Sequence, residues 1–251
     1  MKKLLKPINL PAVSAALGGI ALVLRFLMYA FASDDKGLPI PGHPLIIGLL
    51  LVTVAAVLYI AAAVWKLDGS ALYEDNFFPD RTAMIGHFAA AAGIALTLLT
   101  HEPMMYGYLG QGWKILGYLT PVCLILAGMD RCKGKQPFFL LHLIPCLFLV
   151  FHIVNHYQTW SGDPQLLDYG FALLGTMALM FFAFYTVEFD VGAGRRRMQL
   201  FMGMAAVFLL TAELANTMYP WLYIGGILWA ASDLCSLEPK PKPEPEKKEE
   251  K

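Results

Sequence analysis

Eight stretches of this chain are almost free of charge over close to the length a helix needs to cross a bilayer. One crossing takes about 20 mostly apolar residues. The stretches fall at 8–31, 44–65, 83–100, 113–128, 137–156, 165–187, 198–216 and 218–237. The fourth is short. The eighth follows the seventh across a tight turn, where Asn216 and Pro220 supply suitable chemistry. Hydrophobic residues make up 57% of the chain and charged residues 15%, against about 45–50% and about 25% in a soluble domain. So few charges cannot cover so much apolar surface, which excludes a soluble globular domain. A net charge of zero and the absence of a basic aromatic groove disfavour a nucleic-acid binder. The pattern predicts an all-α polytopic integral membrane protein, a bundle of about eight transmembrane helices within residues 1–237.

Lys and Arg orient such a bundle, because positive loops stay in the cytoplasm. With eight spans and the N-terminus inside, sixteen of the nineteen basic residues face the cytoplasm. Lys36 and Lys114 fall outside, and Arg25 lies within the first span. Both termini are therefore expected in the cytoplasm, and the chain in the inner membrane of a bacterium. A competing reading takes Lys2, Lys3 and Lys6, the apolar run and Ala30-Phe31-Ala32 as a cleaved leader. It would leave seven spans, but Arg25 and bulky Phe26, Met28 and Tyr29 make a poor cleavage region. Residues 238–251 hold ten of the 38 charged residues and repeated Pro. That segment has nothing to bury and is expected to be a disordered cytoplasmic tail, either solvated or docking a protein partner.

Ionisable groups inside a span are costly and mark function by default. Arg25 lies near the outer end of the first span and Glu213 near the outer end of the seventh, at similar depth. They can form a buried pair, or each can snorkel separately to the headgroups. Asp168, at the outer end of the sixth span, is the alternative partner for Arg25. Asp233 sits near the inner end of the eighth span and reads as solvated. Glu188, Asp190 and Arg195 to Arg197 bracket one short cytoplasmic loop. They read as topology-setting charge or, alternatively, as a contact for anionic lipid or phosphate. The four cysteines form no C-x-x-C and read as packing residues.

The six histidines carry the sharpest pattern. His87 and His101 are 14 residues apart on the third span, and His142 and His156 are 14 apart on the fifth. Fourteen residues bring a helix back to about 40° from the same face after a rise of about 21 Å. Both spans run in the same direction, so His87 should match His142 in depth, and His101 should match His156. Two stacked bis-imidazole sites would follow, and imidazole is a natural haem ligand. This arrangement resembles cytochrome b of the respiratory complexes at these four positions. The resemblance implies one or two haem b groups and electron transfer. The chain departs from it in lacking 14-spaced glycines in the neighbouring spans, in Glu102-Pro103 directly after His101, and in a competing His152. His152 and His156 share a face one turn apart, but no complete metal-ligand spacing is present, so no metal site is assigned.

The stretch from Arg131 through Leu173, with the Asp190-Val-Gly-Ala-Gly-Arg-Arg segment, resembles a family of small polytopic proteins from anaerobic gut bacteria that has no assigned function. The resemblance implies a bacterial cytoplasmic membrane protein and supplies no activity, substrate or site residue. Several activities are disfavoured by what the chain lacks. No Lys lies between Lys135 and Lys240 to form a retinal Schiff base. G-x-S-x-G, H-E-x-x-H and Walker A motifs are also missing. The expected function is transport or sensing of a small solute or ion within the bundle. The alternatives are a cytochrome b-like electron-transfer protein and a non-catalytic accessory or scaffold subunit.

Overall fold

A computed structural model describes residues 9–33, 39–40, 42–65, 71–102, 107–160 and 166–237, the side chains of 9–10, 158–160 and 166–168 excepted. The predicted tail at 238–251 lies outside the described residues, and so does the side chain of Asp168. The described residues form α1 (Asn9–Phe31), α2 (Pro44–Trp65), the single-turn α3 (Tyr73–Asn76), α4 (Arg81–Thr100) and α5 (Tyr108–Cys132). There follow α6 (Leu140–Trp160), α7 (Leu166–Asp190), α8 (Arg196–Glu213) and α9 (Pro220–Ser236). Six of these, α1, α2, α4, α5, α6 and α7, are long and apolar enough to cross a membrane. The other two long helices have 18 and 17 residues, and α8 carries Arg196, Arg197, Gln199 and Glu213. Both are mostly buried by their neighbours, which relaxes the demand for apolar side chains facing lipid.

Local chemistry sets the helix ends. Asp80 caps α4 by accepting from the Thr82 amide at 2.8 Å. Pro220 opens α9 at a position where no amide donor is needed. Gly192, with φ of 76°, ends the turn after α7 in a conformation that other residues resist. Pro121 and Pro145 each remove one helical hydrogen bond, yet α5 and α6 run through them.

Helices α4 to α9 pack in chain order as a ring, with α9 closing back on α4. α1 packs on α8 from outside, and α2 packs on both. The distribution of side chains is inverted relative to a soluble protein. Leu50, Leu58, Ile85, Leu99, Ile115 and Val122 are exposed on the periphery, while Arg25, His87, Arg131, His142, Glu213 and Asp233 are buried. An outward apolar surface of this extent is suited to lipid contact.

The tightest seam is α4 against α9, and glycine makes it. A Cβ on Gly93 would collide with the Trp221 carbonyl oxygen, and one on Gly86 with the Ser232 hydroxyl. A Cβ on Gly225 would lie 3.0 Å from Ala90 Cα. Small residues of this kind let backbones approach where lipid gives no hydrophobic drive. Gly93→Val should therefore destabilise the bundle by about 1–3 kcal/mol or more, seen as loss of the monodisperse peak in heated size-exclusion runs. Gly19 has open space around its Cβ position, so Gly19→Val should leave the same profile unchanged.

Candidate functional site: a buried histidine–aspartate line

Charged and polar side chains gather at both ends of the ring. At one end α4, α6 and α8 begin and α5, α7 and α9 finish. Each helix brings its polar residue on a buried stripe at helical spacing. Leu179, Phe182 and Thr186 lead to Asp190, and Leu222, Gly226 and Trp229 lead to Asp233. Thr120, Leu124 and Ala127 lead in the same way to Arg131. The inward face of each helix thus ends in a charge.

The centre of this cluster is a pair of histidines. His87 Nε2 and His142 Nε2 lie 3.2 Å apart. His142 Nδ1 lies 2.6 Å from Asp190 Oδ2. His87 Nδ1 lies 2.8 Å from the Ala83 carbonyl oxygen and 3.7 Å from Asp233 Oδ1. Arg131 Nη2 donates to Asp233 Oδ2 at 3.3 Å. Both histidines and Asp233 are fully buried, and Asp190 is 8% exposed. Trp229 walls the pair, lying parallel to His142 at 6.3 Å and tilted to His87 at 5.7 Å.

Hydrogen-bond bookkeeping fixes the protons. A carbonyl oxygen only accepts, so His87 Nδ1 carries hydrogen. One further proton must lie between the two Nε2 atoms, and a third between His142 Nδ1 and Asp190. Two neutral imidazoles account for two of these three. The third cancels the charge of Asp190, so the triad is neutral as a unit, as is the Arg131–Asp233 pair. Neutrality avoids the several kcal/mol that each uncompensated buried ion costs. The bridging protons can shift along Asp190–His142–His87 without moving a heavy atom, because imidazole accepts at one nitrogen and releases at the other. A carboxylate stands at each end of the line. Asp190 Oδ1 and Asp233 Oδ1 have no hydrogen-bond partner among the described residues.

These placements correct the sequence reading. Asp233 is not solvated, and Asp190 is not loop charge. Arg131 is buried as well, and Arg196 is buried with its guanidinium bonded to Leu237 O at 2.9 Å and Asn76 Oδ1 at 3.4 Å. Of the bracketing loop charges, Arg195 and Arg197 remain exposed.

At the opposite end Arg25 meets Glu213 directly. Arg25 also donates to Ala212 O at 3.3 Å and to Tyr29 Oη at 2.9 Å, and stacks over Phe171 at 4.8 Å. This joins α1 to α7 and α8, and snorkelling does not occur. The second pair of 14-spaced histidines is interrupted: the Tyr219 ring lies 4.8 Å from His101 and 4.6 Å from His156. Trp113 Nε1 donates to His152 Nδ1 at 3.3 Å. His152 therefore carries its hydrogen on Nε2, and that nitrogen offers no lone pair to a metal.

Neither histidine pair is arranged for haem. A metal–imidazole bond is about 2 Å long, so an ion between two nitrogens keeps them about 4 Å apart. His87 and His142 are closer than that and hydrogen-bonded to each other, and Tyr219 fills the space between His101 and His156. Between the two polar ends, Ile94, Pro145, Leu149, Leu179, Leu222 and Trp229 surround a cavity of about 10 Å³, room for one water at most. That cavity is too small for a continuous file of water. No family model, no curated protein and no solved structure matches the chain, so the likeness to a gut-bacterial family finds no support among known proteins.

Proposed function

We propose that this chain is a proton-translocating membrane carrier with eight crossing helices, and that Asp190, His142, His87 and Asp233 are its proton-carrying element. The observation that carries the reading is the 3.2 Å contact between two buried imidazoles lying between two carboxylates. A structural ion pair needs two groups, whereas this line has four and a defined place for each proton. The small apolar cavity between the two polar ends favours a carrier that changes shape over an open pore. The basic loops favour a cytoplasmic position for the His87 end. Arg25 and Glu213 then hold α1 to the ring and stay outside the proton path.

Proteoliposomes containing a trapped pH dye test this directly. With potassium and valinomycin imposing a potential, the wild-type chain should acidify or alkalinise the lumen at least about tenfold faster than empty vesicles. A His142→Ala chain should match empty vesicles. Equal rates for wild type and His142→Ala would overturn the proposal.

A further inference from the structure

The segment 71–80, between α2 and α4, lies across the His87 end of the ring. Tyr73, Asn76 and Phe77 are buried, while Leu72, Glu74 and Asp75 are exposed. Gly194 N donates to Ala71 O at 3.1 Å, Tyr73 Oη to Lys135 O at 3.1 Å, and Arg196 to Asn76 Oδ1. Tyr73 also shares a hydrogen bond with Arg131, and aromatic rings pack beside these contacts. Phe77 lies edge-on to Phe189 at 5.2 Å, and the Arg131 guanidinium lies 3.5 Å above the Phe77 ring and 5.2 Å from the Tyr73 ring. Arg131 is thus shared: its charge faces Asp233 on one side and the aromatic segment on the other.

We propose that segment 71–80 is a gate over the proton line, with Arg131 as its latch, released when Asp233 is protonated. The inference rests on the proton-carrying reading above. The groups facing Asp233 are His87 on α4, Arg131 on α5 and Tyr73 on the segment itself. His142 on α6 and Asp190 on α7 stand one contact further on. A fourth proton entering at Asp190 Oδ1 displaces the Oδ2 proton to His142 Nδ1 and the His142 Nε2 proton to His87 Nε2, so Asp190 and His142 stay neutral and His87 becomes an imidazolium. Its Nδ1 proton can then cross to Asp233 Oδ1, closing a gap of 3.7 Å. His87 returns to neutral with its hydrogen on Nε2, and Asp233 becomes neutral. Arg131 is left as a buried cation without a counter-ion, which is strongly unfavourable. Water is the nearest relief, and displacing Phe77 admits it. Proton arrival and opening at this end are therefore one event.

Hydrogen exchange of the full chain in nanodiscs, read by mass spectrometry, tests the gate. Asp233→Asn imitates the protonated carboxyl. Amides of 71–80 should exchange at least about tenfold faster than in wild type, with α2 and α4 unchanged. Arg131→Gln with Asp233→Asn removes both charges and should bring exchange back well below that of D233N, short of wild type by the lost contacts to Phe77 and Tyr73. The proposal fails if D233N protects 71–80 as well as wild type, or if the double variant exchanges like D233N. It fails too if D233N unfolds wholesale, or if the double variant does not fold. The readout needs no proton gradient. A chain that moves no protons refutes the transport reading alone, and proton movement with unchanged exchange refutes the gate alone.

Discussion

Asp190→Asn should slow proton movement by about 100-fold, the scale on which a single positioned acid or base acts, while the protein stays folded. The reasoning follows from the proton count. His142 Nδ1 lies 2.6 Å from Asp190, and an Asn amide N–H can donate to that nitrogen, which leaves the bridging proton on His142 Nε2. The arrangement of the rings should survive, together with their packing on Trp229. What disappears is the group that takes up the third proton. With Asn in place the line can hold two protons neutrally, and a third makes a buried cation with no counter-charge. The dye assay in vesicles measures the rate, and a melting curve in detergent checks the fold. A rate within about twofold of wild type would remove Asp190 from the path, because the lost proton site is worth far more than that.

The second large effect concerns stability. Arg25→Gln should destabilise the bundle by about 3–5 kcal/mol, the cost of stranding a buried partner charge. Glu213 is almost fully buried and would lose its counter-ion. Adding Glu213→Gln should recover much of that loss, since two neutral amides carry no such penalty. Phe171 and Tyr29 remain to pack against the shortened side chain. A double-mutant cycle on the unfolding transition gives the coupling, expected well above about 1 kcal/mol for groups in direct contact. Additive effects of the two changes would mean that the pair does not hold α1 to α8.

The membrane architecture is legible because it depends on long apolar runs, which a sequence displays openly. Six of the runs appear as helices suited to crossing, with limits a few residues from those expected. The depth match of His87 and His142 is legible as well, because 14 residues is a whole number of turns to within about 40°. Its meaning is not, because spacing along one helix says nothing about what fills the gap between two. A hydrogen bond closes one gap and Tyr219 fills the other. The carboxylates were misplaced for a different reason. Apolar runs end where charge begins, so Asp190, Asp233 and Arg131 read as the solvated ends of spans. Helices α5 and α7 continue beyond the expected limits, and in all three helices the neighbours bury the charged turns. A signal was present: Leu222, Gly226, Trp229 and Asp233 recur at three- and four-residue spacing, which puts Asp233 on the stripe that faces the ring. Phe77 and Tyr73 carry no comparable mark, since their role comes from a connection folding back over the bundle end.

The central claim is that His87 and His142 share a proton in a dry interior. Nitrogen NMR on histidine-labelled protein in nanodiscs measures this most directly. A coupling between the two Nε2 nuclei across their hydrogen bond is expected, with His87 keeping hydrogen on Nδ1 and both signals absent from the solvent-exposed set. Loss of the coupling in Asp190→Asn would tie the shared proton to the carboxylate. Two independent imidazoles with no coupling between them would contradict the account.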